Sequence, residues 1–148
     1  MHKKVIPNDV LLGEVGKLVA EGEKVTIMTK GSSMLPFIKG ERDSVLLVKP
    51  SEPAVGMIVL AQVGKGAYVL HRIIAVDGDK VTLMGDGNIR GCERCRRKDV
   101  VAQAVRILRP DKEIDCLSRG HLVKARVWRS LLPLRRWILA VMRRLDLM

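Results

Sequence analysis

Aromatic side chains are nearly missing from this sequence, which has one Tyr, one Phe and two Trp among 148 residues. Holding single-stranded nucleic acid by stacking takes several rings on one surface, so that use is not expected. Cysteine is scarce and odd in number: Cys92, Cys95 and Cys116 suit a secreted disulfide framework poorly and read as the reduced thiols of a cytoplasmic protein. No apolar stretch approaches the ~20 residues of a membrane-spanning helix, and the longest one near the C-terminus covers only residues 137–142. Met1-His2-Lys3-Lys4 resembles the charged start of a signal peptide, but Pro7, Asn8, Asp9, Glu14 and Lys17 interrupt any apolar region behind it. The expectation is a cytoplasmic chain without signal peptide or transmembrane helix.

What is present is aliphatic and basic. Hydrophobic residues make up 47% of the chain, enough for one core at this length without disulfides or metal. The formal charge is +11, which must face phosphate, lipid or acidic protein. It is unevenly spread. From Arg119 onward, Arg119, Lys124, Arg126, Arg129, Arg135, Arg136, Arg143 and Arg144 stand against Asp146 alone, and both tryptophans, Trp128 and Trp137, lie in the same stretch.

Asn8 or Asp9 can cap an amphipathic helix over about residues 8–21, with Val10, Leu11, Val15, Leu18 and Val19 on one face and Gly22 ending it. Six β-branched runs follow, at residues 25–29, 44–48, 57–63, 68–76, 81–84 and 100–108, separated by Gly, Pro or Asp. They predict a compact, mainly β body. Asp77-Gly78-Asp79 between two of them is a tight hairpin turn, where Gly supplies the positive φ. After Pro110 the pattern becomes helical, with Pro133 opening a second helical piece. Two units are expected: residues 1–110 as the β body with its helix, and residues 111–148 as a basic amphipathic tail.

Lys30-Gly31-Ser32-Ser33-Met34-Leu35-Pro36 is a turn-prone segment after a strand, where a serine hydroxyl can stand clear of the sheet. A serine needs a base within reach to become a nucleophile. Of the three histidines, His2 lies at the chain start, His121 in the basic tail and His71 inside an apolar strand pattern, which makes His71 the candidate base. Met84-Gly85-Asp86-Gly87-Asn88 closes the next strand with a carboxylate in a glycine-flanked loop, placed to orient a histidine.

In order, Gly31-x-Ser33-Met34-x-Pro36, Gly40-Glu41-Arg42-Asp43, Val55-Gly56-Met57-Ile58-Val59, His71-Arg72-Ile73-Ile74, Gly85-Asp86-Gly87-Asn88 and Lys98-Asp99-Val100-Val101 resemble the successive boxes of the signal peptidase I clan, the S24/S26 serine peptidases. His-Arg where bacterial leader peptidases and self-cleaving repressors carry a lysine makes the chain similar to the Ser/His branch. The resemblance spans about residues 25–108. It implies a signal-peptidase or repressor-cleavage-like β fold, Ser33 as nucleophile and His71 as general base, with no cofactor and no metal. A third, acidic member is implied several positions after the Gly-Asp box; Asp86 and then Glu93 are its candidates. Gly31 stands where the family often has a hydroxyl donor, which leaves Ser32 or the backbone alone to support the oxyanion. The implied activity is endoproteolysis of a precursor or leader peptide after small residues.

Two other readings of the same residues stand beside it: a catalytically inactive peptide-binding module of that fold, or a regulator-like domain using its basic tail. The charged, amphipathic N-terminal helix differs from the membrane anchor that signal peptidases place before the serine. The tail has the Lys/Arg, Trp and Leu spacing of an interfacial helix and could lie on an anionic membrane surface, or pack its apolar face on the β body. Nucleic-acid binding is not expected, since no helix-turn-helix pattern occurs. Cys92-x-x-Cys95 with Cys116 and His121 has irregular spacing for zinc and is read as no metal site.

Overall fold

The computed structural model describes residues 2–5, 9–64 and 66–146, and the side chains from residue 12 onward within them. It is mainly β. Strands β1 (His2–Val5), β2 (Val25–Met28), β3 (Ser44–Val48), β4 (Ile58–Gly64), β5 (Ala67–Asp77), β6 (Lys80–Met84), β7 (Glu93–Arg96), β8 (Val100–Leu108) and β9 (Glu113–Asp115) are joined by helix α1 (Asp9–Ala20) before them and α2 (Arg119–Ser130) and α3 (Arg135–Arg144) after them. The sheet runs β1-β2-β3-β8-β4-β5-β6-β7, with β9 paired to β8. All described pairings are antiparallel except β1 with β2.

All six β-branched runs are strands. The period of two along β4 explains how one sheet serves two cores. Ile58 and Leu60 face a core with Val25, Ile27, Val45, Leu47 and Ile107, covered by Val15 and Val19 of α1. Val59 and Ala61 face the other way, onto Ile73, Val81, Leu83 and Val100. The sheet curls around this second core and brings β7 back beside β4. α1 stops where expected, at Gly22 with φ 94°. Its candidate cap Asn8 lies outside the described residues, as do the side chains of Asp9, Val10 and Leu11. Gly78 turns the β5–β6 hairpin at φ 58°.

The C-terminal helices pack on the β body along one face. Trp128 and Leu139 form a small core with Leu35 of the serine segment, flanked by Phe37, Leu131 and Ile138. Ser118 caps α2 by accepting the His121 N–H, and Pro133 sits in the short 3-10 turn between α2 and α3. Before α2 the chain adds β9 to the sheet, an element that the helical pattern after Pro110 did not foretell. Among the described residues no helix is long and apolar enough to cross a membrane.

Candidate functional site

Ser33 lies in a turn that follows β2. Below this turn, Gly40-Glu41-Arg42-Asp43 acts as its footing. Thr29 donates its N–H and hydroxyl to the Asp43 carbonyl at 3.0 and 2.7 Å, and Glu41 returns an N–H to the Thr29 carbonyl at 2.8 Å. The Asp43 carboxylate is fully buried, accepts the Lys39 N–H at 2.8 Å and pairs with Arg42 Nε at 2.7 Å. Gly40 must be glycine for steric reasons, because a Cβ there would run into the Gly31 backbone. The Ser33 carbonyl accepts the Gly87 N–H at 2.8 Å, which ties the serine turn to the loop after β6. The Ser33 N–H makes no hydrogen bond among the described residues.

His71 sits on β5, opposite Val59 of β4, with 6% of its surface exposed. Cross-strand pairing carries its side-chain direction across the sheet. Ile73, two residues on, is opposite Leu83 of β6, and Leu83 is opposite Glu93 of β7. His71 and Glu93 therefore stand on one face, and Nδ1 of His71 lies 2.6 Å from Glu93 Oε1. With the carboxylate ionised, Nδ1 carries the proton and donates it, which leaves the lone pair of the neutral ring on Nε2. Nε2 packs on Gly85, where a Cβ would come within 3.1 Å of it and would also collide with the Ser33 carbonyl. Among the described residues Nε2 makes no hydrogen bond, and none joins His71 to Ser33.

Both residues line one cavity of about 230 Å³, with Leu12, Ile27, Ile38, Leu60 and Leu70 among its apolar walls. That is smaller than the ~300–1,000 Å³ of sites for drug-sized ligands and suits short side chains. One rim of the cavity is the first part of β5. Residues 67–70 pair with β4, but β6 joins β5 only from Arg72 onward. The other edge of residues 67–70 thus carries no strand among the described residues, and it leads directly to His71.

Asp86, the first candidate for the acidic member, does not meet His71. It is bound to the next residue along β5. Arg72 Nε lies 2.9 Å from Asp86 Oδ1 and Nη2 2.7 Å from Oδ2. Successive residues of a strand point to opposite faces, so His71 and Arg72 draw on different carboxylates. Glu93, the second candidate, is the one within reach of the ring. Ser32 is exposed and does not line the cavity, and its carbonyl accepts the Leu35 N–H at 3.2 Å.

Several residues around the site were not singled out from sequence. Arg72 also donates Nη1 to the Gly56 carbonyl at 2.8 Å, contacts His121 Nε2 at 3.2 Å and lies 5.2 Å from the centroid of the Phe37 ring. Burial, and then the neighbouring Arg72 charge, pushes the His121 pKa down to about 4, so its neutral ring accepts from Arg72. Trp128 donates its indole N–H to the Asp86 carbonyl at 2.6 Å, and Arg135 reaches the Asn88 carbonyl at 2.8 Å. Pairing of Arg72 with Asp86 was open to inference, since each stands in one of the two site boxes. The reach of His121, Trp128 and Arg135 depends on long-range packing that no local pattern encodes.

The cysteines are free thiols. Burial pushes Cys95 up to about 11 and Cys116 up to about 12, so both stay protonated and poorly nucleophilic. Among the described residues no group of three or more His, Cys, Asp or Glu is arranged to hold a metal ion. No family profile matches the chain, and no curated protein is significantly similar to it.

Proposed function

We propose that this chain is a serine endopeptidase of the signal peptidase I type, cutting an extended precursor or leader peptide after small residues. The observation that carries the reading is the His71 ring, held by Glu93 through Nδ1 and left with an unpartnered Nε2 on a cavity that Ser33 also lines. A base needs this arrangement, with one nitrogen fixed and the other open. Ser33 Oγ attacks the peptide carbonyl, Nε2 takes the hydroxyl proton and then gives it to the leaving amine, and water releases the acyl group by the same route. The unpaired Ser33 N–H is the candidate donor to the oxyanion. Glu93 stabilises the imidazolium formed in each step. Residues 69–70, which pair with β4 but not with β6, border the cavity next to His71 and suit a substrate that adds as a strand. The preference for small residues comes from the family resemblance and agrees with the cavity volume.

The test is cleavage of a leader-type peptide library by the purified chain, read by mass spectrometry, with Ser33→Ala and His71→Ala as controls. Each variant is expected to lose at least ~10⁴-fold in turnover. Equal cleavage by Ser33→Ala would sink the reading. Peptide binding without turnover, unchanged in both variants, would favour the inactive binding module, a reading supported by the lack of a Ser33–His71 hydrogen bond among the described residues.

A further inference from the structure

The C-terminal helices have two apolar faces, and the β body uses one. The inner face, with Ala125, Trp128 and Leu139, is buried. On the outer side, Leu134, Trp137, Val141 and Leu145 recur at intervals of three and four residues and so form one stripe along α3. All four are more than half exposed, Trp137 at 64%, and Val123 and Val127, one turn apart on α2, are equally bare. Among the described residues, nine large apolar side chains are exposed, and seven of them fall within residues 117–145. Such side chains normally occur singly on a soluble surface, and their concentration on one helix pair marks a docking face.

The charge around the stripe has one sign. Arg126, Arg136, Arg143 and Arg144 are exposed, and the Arg136 guanidinium lies 5.6 Å from the centroid of the Trp137 ring. No Asp or Glu occurs between Asp115 and Asp146. A second copy of the chain is a poor occupant, because a two-fold interface sets the same patch against itself and would leave these arginines facing arginines. Nucleic acid would satisfy the arginines and leave the apolar stripe in water. An anionic lipid surface satisfies both, with phosphates for the guanidinium groups and an acyl boundary for the stripe. α3 has 10 residues and is far too short to cross a bilayer, so it can only lie along it.

We propose that the outer face of α2 and α3 docks on an anionic membrane surface, with α3 in the headgroup plane, Trp137, Val141 and Leu145 at the acyl boundary, and the arginines on lipid phosphates. The inference does not depend on Ser33 being a nucleophile, and its failure would leave the peptidase reading untouched. The test uses the whole chain carrying Ser33→Ala and measures co-flotation with phosphatidylcholine vesicles that contain or lack phosphatidylglycerol. Binding is expected only to the anionic vesicles, weakening as salt rises, with a blue shift of the Trp137 emission. Arg136→Gln, Arg143→Gln and Arg144→Gln together should weaken it by about 10²-fold. Trp137→Ser with Val141→Ser, at unchanged charge, should weaken it at least 10-fold. All these side chains are exposed, so thermal unfolding should not move, and a shift there would be corrected by single substitutions. Absence of binding to anionic vesicles overturns the proposal. So does binding that is indifferent to the Trp137 and Val141 changes, or a lipid-free dimer that buries Trp137.

Discussion

His71 and Arg72 are neighbours on β5, each paired with a carboxylate, and the two pairs are built differently. Arg72 is 1% exposed at its side chain and Asp86 6%, and every terminal group of the guanidinium is engaged by Asp86, Gly56 or His121. His71 is as well enclosed at 7%, but its partner Glu93 is 30% exposed, and one ring nitrogen has no partner among the described residues. The contrast separates structure from chemistry better than burial does. A saturated pair can only hold the loops in place, whereas an unsaturated one retains a lone pair that a reacting proton can use.

Three measurements can break or sharpen that contrast. The largest effect should come from Asp86→Ala, which leaves the buried Arg72 charge without its carboxylate. Removing one partner of a buried ion pair costs about 3–5 kcal/mol, here read by denaturant unfolding. A loss under about 1 kcal/mol would show that the pair is not a structural lock. Next comes acid. His121 has a folded pKa of about 4 against an ordinary value of 6.5, so between these values the unfolded chain binds the extra proton. Stability should therefore be intact above pH 6.5 and fall as pH drops toward 4, by up to about 3 kcal/mol in total, at about 1.4 kcal/mol per pH unit once the unfolded histidine is charged. His121→Gln keeps an acceptor for Arg72 and should remove that portion of the slope. The smallest effect is expected from Glu93→Gln. On the proposed peptidase reading it should lower turnover about 10²-fold, near 2.7 kcal/mol in barrier, while unfolding stability changes by less than ~1 kcal/mol because Glu93 is partly solvated. If Glu93→Gln costs several kcal/mol of unfolding stability while the folded variant keeps its turnover, the two carboxylates have been assigned the wrong way round.

The interior strands were legible because they carry β-branched runs, and β4 even shows both of its faces buried. The edge elements were not. β1 reads His-Lys-Lys-Val and β7 reads Glu-Arg-Cys-Arg, and strands that end a sheet are protected from further pairing by such charges, which erase the hydrophobic signal. The same effect left Glu93 without a strand signal of its own. Its candidacy came from spacing after the Gly-Asp box, while Asp86 ranked ahead because it stands in that box. Glu93 meets the His71 ring and Asp86 meets Arg72 because His71 and Arg72 point to opposite faces of β5, a consequence of cross-strand register rather than of any local motif. His121 was read as one more member of a basic tail. It is buried between Arg72 and Phe37, whose ring meets it edge-on at 5.3 Å.

The near-absence of aromatic residues has a spectroscopic consequence. The two tryptophans occupy opposite sides of the same helical pair: Trp128 is 7% exposed with its indole bonded to the Asp86 carbonyl, and Trp137 is 64% exposed on the outer face. Their emission should separate by colour, and quenchers dissolved in water should reach one and spare the other. A chain with only Trp128 is a fluorescent gauge of the loop beside the cavity; a chain with only Trp137 is a gauge of whatever comes to rest on the outer surface. With so few rings to interfere, the protein carries its own pair of probes.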